Sequence, residues 1–246
     1  MALGPFSDRS ISSRPRITLF IPLCLIFFTL PLPYNENSSR LEAYPIDTDL
    51  ITAELWTELD PMVDLTQSGI ISRREAVRRV LEEARIVLSG MIYGYDVRYI
   101  PLDRARQVEE ELEVVPRALI PAGDPALRVL DVRTKENRYY VHVRYNLADF
   151  QIARLQAWSS NTFESVEGRG TAPIQGGYQA KFESFDQAIK NAIREYLRPQ
   201  IKNKPRQIEA RVVLVEPPYT IIDVGGYHSK VRIKADIREV LPYSAY

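Results

Sequence analysis

A chain of 246 residues, 45% hydrophobic and 26% charged, has the composition of a soluble globular protein and room for one sizeable domain or two small ones. Its 32 basic and 32 acidic residues cancel, so it lacks the basic excess of a general nucleic-acid binder, and no nucleic-acid partner is expected. The single cysteine, Cys24, lies near the N-terminus; a chain cut beyond it has no route to disulfides, thiolate catalysis or cysteine-based zinc sites.

The first 33 residues differ from the rest. Arg9, Arg14 and Arg16 against Asp8 give them a charge of +2, which leaves −2 on residues 34–246. Residues 17–33 read ITLFIPLCLIFFTLPLP, an uncharged run with arginines before it and Asn35, Glu36, Asn37, Ser38 and Ser39 after it. This charged, apolar, polar order is that of a secretory signal, with the arginines held on the cytoplasmic side while the body crosses. The run is at the short limit for a spanning helix, and Pro22, Pro31 and Pro33 interrupt it. No pair of small residues marks a cleavage point near residues 29–33, so the segment 1–33 is read as a signal peptide or an uncleaved membrane anchor, with cleavage favoured. Lipidation of Cys24 is disfavoured, because Ile21, Pro22 and Leu23 stand where small residues are usual. The protein is thus expected to be exported and periplasmic or envelope-associated, touching membrane only through residues 17–33 if they are kept.

Residues 34–70 are rich in acids and contain Pro45 and Pro61, which reads as a linker with one helical turn around 51–59. Their acids lack the twelve-residue calcium loop with its glycine and terminal glutamate. Ser72-Arg73-Arg74-Glu75 then forms a capping box. Behind it Ala76, Val77, Val80, Leu81, Ala84, Val87, Leu88 and Met91 make one helical stripe, with Arg73, Arg78, Arg79, Glu82 and Glu83 turned outward and Gly90 or Gly94 as the stop. From Tyr93 the period becomes two: Tyr93, Tyr95, Val97 and Tyr99 share one strand face, Asp96 and Arg98 the other.

Residues 103–113 read as a short helix or acidic surface loop. Residues 128–133 and 138–147 read as a hairpin turning at Lys135-Glu136-Asn137, with Tyr140, His142, Arg144 and Asn146 on its polar face. Residues 150–158 fit strand or helix equally. The Ser-, Gly- and Asn-rich stretch 159–177 reads as an internal boundary or long loop. A second capping box, Ser184-Phe185-Asp186-Gln187, opens a second stripe through Phe185, Ala188, Ile189, Ala192, Ile193, Tyr196 and Leu197, stopped near Pro199. Three strands follow: 208–214, 219–224 with a Gly225-Gly226 turn, and 231–237, where Val231, Ile233, Ala235 and Ile237 alternate with Lys230, Arg232, Lys234, Asp236 and Arg238.

The predicted fold is α+β, with helices laid on antiparallel sheets whose outer face is polar. After the leader (1–33) and linker (34–70) come two helix-plus-sheet units, 71–170 and 171–246, which can share one sheet.

No GxSxG, HExxH or phosphate-binding glycine loop is present, so no catalytic residue, metal ligand or cofactor is assigned. His142 and His228 each stand alone and read as exposed or locally bonded histidines. Asp131, Glu209 and Asp223 are strand acids that read as cross-strand partners of arginine and lysine. Two surfaces remain as candidate binding sites. One is the basic stripe Lys230, Arg232, Lys234 and Arg238, extended by Arg211, which suits an envelope protein or an anionic glycan or lipid surface. The other is the Tyr140, His142, Arg144 patch. A non-enzymatic binding or assembly module of the cell envelope is the favoured expectation. The alternative is an extracytoplasmic hydrolase using strand carboxylates or His142.

Overall fold

Residues 49–61, 69–201 and 206–242 are described in the computed structural model of the protein; the leader expected at 1–33 lies outside them. In chain order the elements are β1 (Leu50–Glu58), α1 (Arg73–Ile92), β2 (Tyr95–Ile100), β3 (Glu111–Pro116), β4 (Leu127–Lys135) and β5 (Arg138–Asn146). They continue with α2 (Asp149–Ser159), β6 (Ser165–Pro173), α3 (Gly177–Ile201), β7 (Arg206–Leu214), β8 (Tyr219–Asp223) and β9 (Gly226–Pro242). The fold is α+β, with antiparallel pairing throughout the described strands.

The strands form two sheets. The smaller has the order β1-β5-β4 and the larger β3-β2-β7-β9-β6, with β8 also on β9. Strand β9 spans 17 residues because one of its edges serves two strands in turn: β7 pairs with 233–242 and β8 with 226–230. The break between them is Pro217-Pro218, which cannot donate to the ladder.

Membership of the sheets does not follow the expected units. Strand β1 lies in the segment read as a linker. It pairs residue for residue with β5, from Leu50 opposite Asn146 to Glu58 opposite Arg138. Strand β6 crosses the expected boundary at 170/171, and β2 and β3 join the later strands in one sheet. The reason is burial: α1 packs on β1 and β5 and also on β7, so strands from both parts of the chain cover one core.

Helix α1 begins as the sequence predicts, with Ser72 Oγ accepting from the Glu75 amide at 3.1 Å. The other half of the box is replaced. The Glu75 carboxylate binds Arg78 and Arg79, at 2.7 and 3.0 Å, and their hydrogen bonds hold its pKa down at about 2. The helix closes at Tyr93, and Gly94, at φ +72°, sends its amide back to Ser89 O. Tyr95, Val97 and Tyr99 face the core, while Asp96 and Arg98 are exposed.

The β4–β5 hairpin turns where expected, with Glu136 at φ +55°. Residues 103–113 resolve into a short 3-10 turn and the start of β3, and 150–158 into α2. The tighter hairpin turns at Val224-Gly225, one residue before the predicted pair. Gly226 is already paired with Asp223, and a Cβ there would lie 2.9 Å from Ala172 O.

Helix α3 starts at Gly177, seven residues before the second capping box. Ser184 is inside it, its hydroxyl bonded to Lys181 O and Ser229 Oγ. The buried stripe begins with Gly177, Ala180, Lys181 and Ser184, and its two polar members, Lys181 and Ser184, hide the period. The glycines of β6, read as loop residues, set the helix–sheet distance. A Cβ on Gly168 would lie 2.2 Å from Ala188 O, and one on Gly170 2.2 Å from Ser184 O.

Replacement of Gly168 by alanine therefore forces α3 off the sheet. We expect Gly168→Ala to cost about 3 kcal/mol or more in chemical denaturation. Thr171→Ala, on the exposed side of the same strand, should change stability by less than about 0.5 kcal/mol.

Candidate binding surfaces

The basic stripe lies on the polar face of the larger sheet, as expected, but its charges are engaged. Glu167 of β6, directly opposite Arg232, accepts from Lys230 at 2.8 Å and from Arg232 at 3.1 Å. Arg232 also reaches Glu216 at 3.7 Å, Arg238 binds Asp236 at 3.1 Å, and Arg211 approaches Asp96 at 3.6 Å. The two cations lower the Glu167 pKa through their hydrogen bonds. Lys234 has a different use. Its ammonium donates to the carbonyls of Trp158, Ser159 and Ser160 at 2.7, 3.3 and 3.0 Å and closes the C-terminal end of α2. The stripe is thus an ion-pair ladder plus a helix cap. Acids on the neighbouring strand, invisible in the β9 sequence, make the difference.

The second patch lies on one face of the smaller sheet. Tyr140, His142 and Arg144 are half-buried there, across from Trp56, Glu54 and Thr52 of β1. On the other side are Arg133, Asp131 and Arg128 of β4. Tyr140 is not the exposed residue expected. It packs against a small cluster of Trp56, Ala172, Ala180 and Tyr227, and the Arg133 guanidinium sits 4.9 Å over its ring. Arg133 also binds Glu54 at 2.6 Å. Arg128 and Arg144 are direct cross-strand neighbours, a repulsive arrangement. The Nε of Arg144 is buried with no hydrogen-bond partner among the described residues.

Beside this patch runs the free edge of the sheet. Among the described residues, strand β4 pairs with β5 on one side only, and it is exposed from Arg128 to Lys135. Val129, Leu130 and Val132 are 39%, 46% and 43% exposed, although Val129 and Val132 stand opposite the buried Val143 and Val141. A bulge between Val129 and Asp131 interrupts the ladder. The balance of charge along β4 is basic: Arg128, Arg133 and Lys135 against Asp131.

The strand carboxylates are dispersed. Asp131 is in the smaller sheet, Glu209 at the β7–β9 bulge and Asp223 at the end of β8. His142 stands between Glu54 and Asp131 by strand register. His228 Nε2 is 2.9 Å from Asp223 O, a local bond across the tight turn.

Sequence reasoning missed the buried charges. Arg79 and Glu83, expected to face outward, are 6% and 5% exposed, and Lys181 is 4% exposed. Lys181 Nζ binds Glu83 at 2.8 Å and Trp56 O at 2.5 Å and lies 4.5 Å from the Trp56 ring centre. A charged residue at the a-type spacing of an apolar stripe was the available signal: Glu83 falls between Val80 and Val87, and Lys181 between Gly177 and Ser184. The adjoining cleft, lined by Glu58, Arg79, Tyr178 and Tyr227, is too small for a substrate, with about 10 Å³ of free space.

These features define an α+β protein with polar sheet faces and an open sheet edge. The chain belongs to a family of uncharacterised proteins, whose model matches residues 39–243. It is similar to an uncharacterised protein of Treponema pallidum (strain Nichols), 23% identical over 197 residues, covering 80% of this chain and 83% of that one. No solved structure matches. Among the described residues, no helix is long and apolar enough to cross a membrane.

The Arg128–Arg144 juxtaposition gives a direct test of the charge on this face. Arg128→Glu should raise stability by about 0.5 kcal/mol at low salt, as a repulsive cross-strand pair becomes an attractive one. Thermal unfolding at low and high ionic strength would measure the gain and its screening.

Proposed function

We propose that this is an exported envelope protein that acts by binding. It captures an extended, acidic segment of another envelope protein along the free edge of β4. One observation carries the reading: an edge strand exposed along its length, with Val129, Leu130 and Val132 open to solvent. Such an edge presents unpaired backbone donors and acceptors, the template for strand addition. Its charge selects the occupant. Arg128, Arg133 and Lys135 outnumber Asp131, and Arg144 adds a further cation on the adjoining strand. Two copies paired about the centre of β4 would set Arg128 against Arg133 or Asp131 against itself, which disfavours self-association through this edge. Export is supported by the uncharged run at 17–33 and its flanking residues.

The test is a photocrosslinking residue placed in the full-length chain in cells at Leu130, at Val132 and, as a control, at Val224, which is 92% exposed on another hairpin. The reading expects one envelope protein, crosslinked through an acidic stretch, from Leu130 and Val132 but not from Val224. It expects a Leu130→Asp, Val132→Asp variant to lose that capture, and the chain's own N-terminus to lie near residue 34 or, if the leader anchors it, at Met1 in the membrane fraction. Equal capture at all three positions, or only cytoplasmic proteins, would refute it.

A further inference from the structure

Helix α2 crosses the polar face of the larger sheet and leaves a groove against it. Its wall is formed by Arg154, Ala157 and Trp158, with Phe163 just beyond the helix; its floor and far side are Arg211, Asp236 and Arg117. The cavity measures about 370 Å³, the size of a small organic ligand. We propose that this groove binds a small carboxylate carried on a flat, apolar body such as an aromatic ring. The proposal involves no residue of the β4 edge and does not rest on it.

The chemistry is divided along the groove. At one end Trp158 and Phe163 pack against each other with their ring centres 4.7 Å apart and their planes tilted at 43°, which offers an aromatic surface to a flat group. At the other, three guanidinium groups face one carboxylate. That carboxylate, Asp236, is engaged with Arg238 at 3.1 Å. Arg117 and Arg211 share Asp96 at 3.3 and 3.6 Å, both longer than a charge-assisted bond of about 2.7–2.9 Å. Each guanidinium carries five N–H donors, so both retain donors for an incoming anion. Arg154 has no carboxylate partner among the described residues; its guanidinium lies 6.0 Å from the Tyr93 ring, the outer limit for a cation–π contact. Three planar forks around one cavity match a carboxylate better than a point charge would.

The wall is also held in place before any ligand arrives. Lys234 binds the carbonyls of Trp158, Ser159 and Ser160, and so fixes the end of α2 that carries the indole. Fixing a contact surface in advance lowers the ordering cost of binding. At the other end of α2, Gln151 accepts from the Ala148 amide at 2.8 Å and donates to Tyr93 Oη at 2.7 Å, which ties the helix to the body.

The test uses 2-naphthoate, its neutral isostere 2-naphthamide and the full chain, read by NMR. The two tryptophans give two indole N–H signals, one in the groove and one in the core. The proposal expects 2-naphthoate to shift the Trp158 signal with a Kd of about 1 mM or tighter, leaving Trp56 unmoved. It expects 2-naphthamide to bind at least about tenfold more weakly, and Arg154→Ala to bring the acid down to the amide's affinity without changing the amide's. Arg154→Lys should fall between. The unmoved Trp56 signal in each variant reports that the fold is kept. No shift of Trp158 up to about 10 mM acid, equal binding of acid and amide, or an unaltered acid affinity in Arg154→Ala would overturn it.

Discussion

The ammonium of Lys181 is where the parts of this molecule meet. It projects from α3, binds Glu83 of α1 at 2.8 Å and the backbone carbonyl of Trp56 in β1 at 2.5 Å, and lies 4.5 Å from the centre of the Trp56 ring. Both ionised side chains are about 95% buried, with 5% and 6% of their surface exposed. Removing such a pair from water costs several kcal/mol per ion, which the mutual attraction offsets only in good geometry. The geometry here is supported on every side. Trp56 Nε1 donates to Thr220 O, Tyr178 Oη to Arg79 O, and Tyr227 Oη to Glu58. Ser184, Ser229 and Thr220 continue the chain of buried hydroxyls at 2.7 and 2.8 Å. An ion pair that must find its partner fixes the register of three elements, whereas apolar side chains alone tolerate sliding.

The remaining architecture follows from how closely α3 can approach the larger sheet. Gly168 and Gly170 let the helix backbone sit on β6, and the long β9 then carries both β7 and β8 on its other edge. This leaves one face of that sheet turned away from the core. Its charges are consumed largely within the face, by Glu167, Glu216, Asp96 and Asp236, and Lys234 is used to hold α2 across it. The smaller sheet has no such balance. Its β4 edge carries exposed valines and leucine and a basic excess, and the adjoining face sets Arg128 against Arg144.

What could be read from the sequence was what depends on local period. The α1 stripe, the inward face of β2 and the alternation of β9 each set a buried face against a more polar one, and the Lys135–Asn137 turn is a short polar break between two strands. Strand β1 escaped because Trp56 is buried on the face opposite Ala53, Leu55 and Thr57, and the third of these is polar, so no simple alternation survives. Strand β6 escaped because its glycines serve packing, and glycine in a polar stretch signals a loop when read alone. The start of α3 and the inward turn of Arg79 and Glu83 escaped because a buried charge is legible only once what covers it is known, and that lies about a hundred residues away: Lys181 pairs with Glu83, and the Tyr178 ring covers the Arg79 guanidinium, whose ion-pair partner Glu75 is local. The candidate surfaces were legible as faces. Their state of charge was not, since Glu167, Asp96 and Glu54 lie on other strands.

The central claim is that the buried Lys181–Glu83 pair organises the packing of α1, α3 and β1. A double-mutant cycle in denaturant tests it, with Glu83→Gln, Lys181→Met and the two combined. The account predicts that each single substitution, by stranding a buried charge or carbonyl, costs about 3–5 kcal/mol, and that the double variant loses far less than the sum. Single losses below about 1 kcal/mol that simply add would contradict it, and would mean that the apolar core alone sets the arrangement.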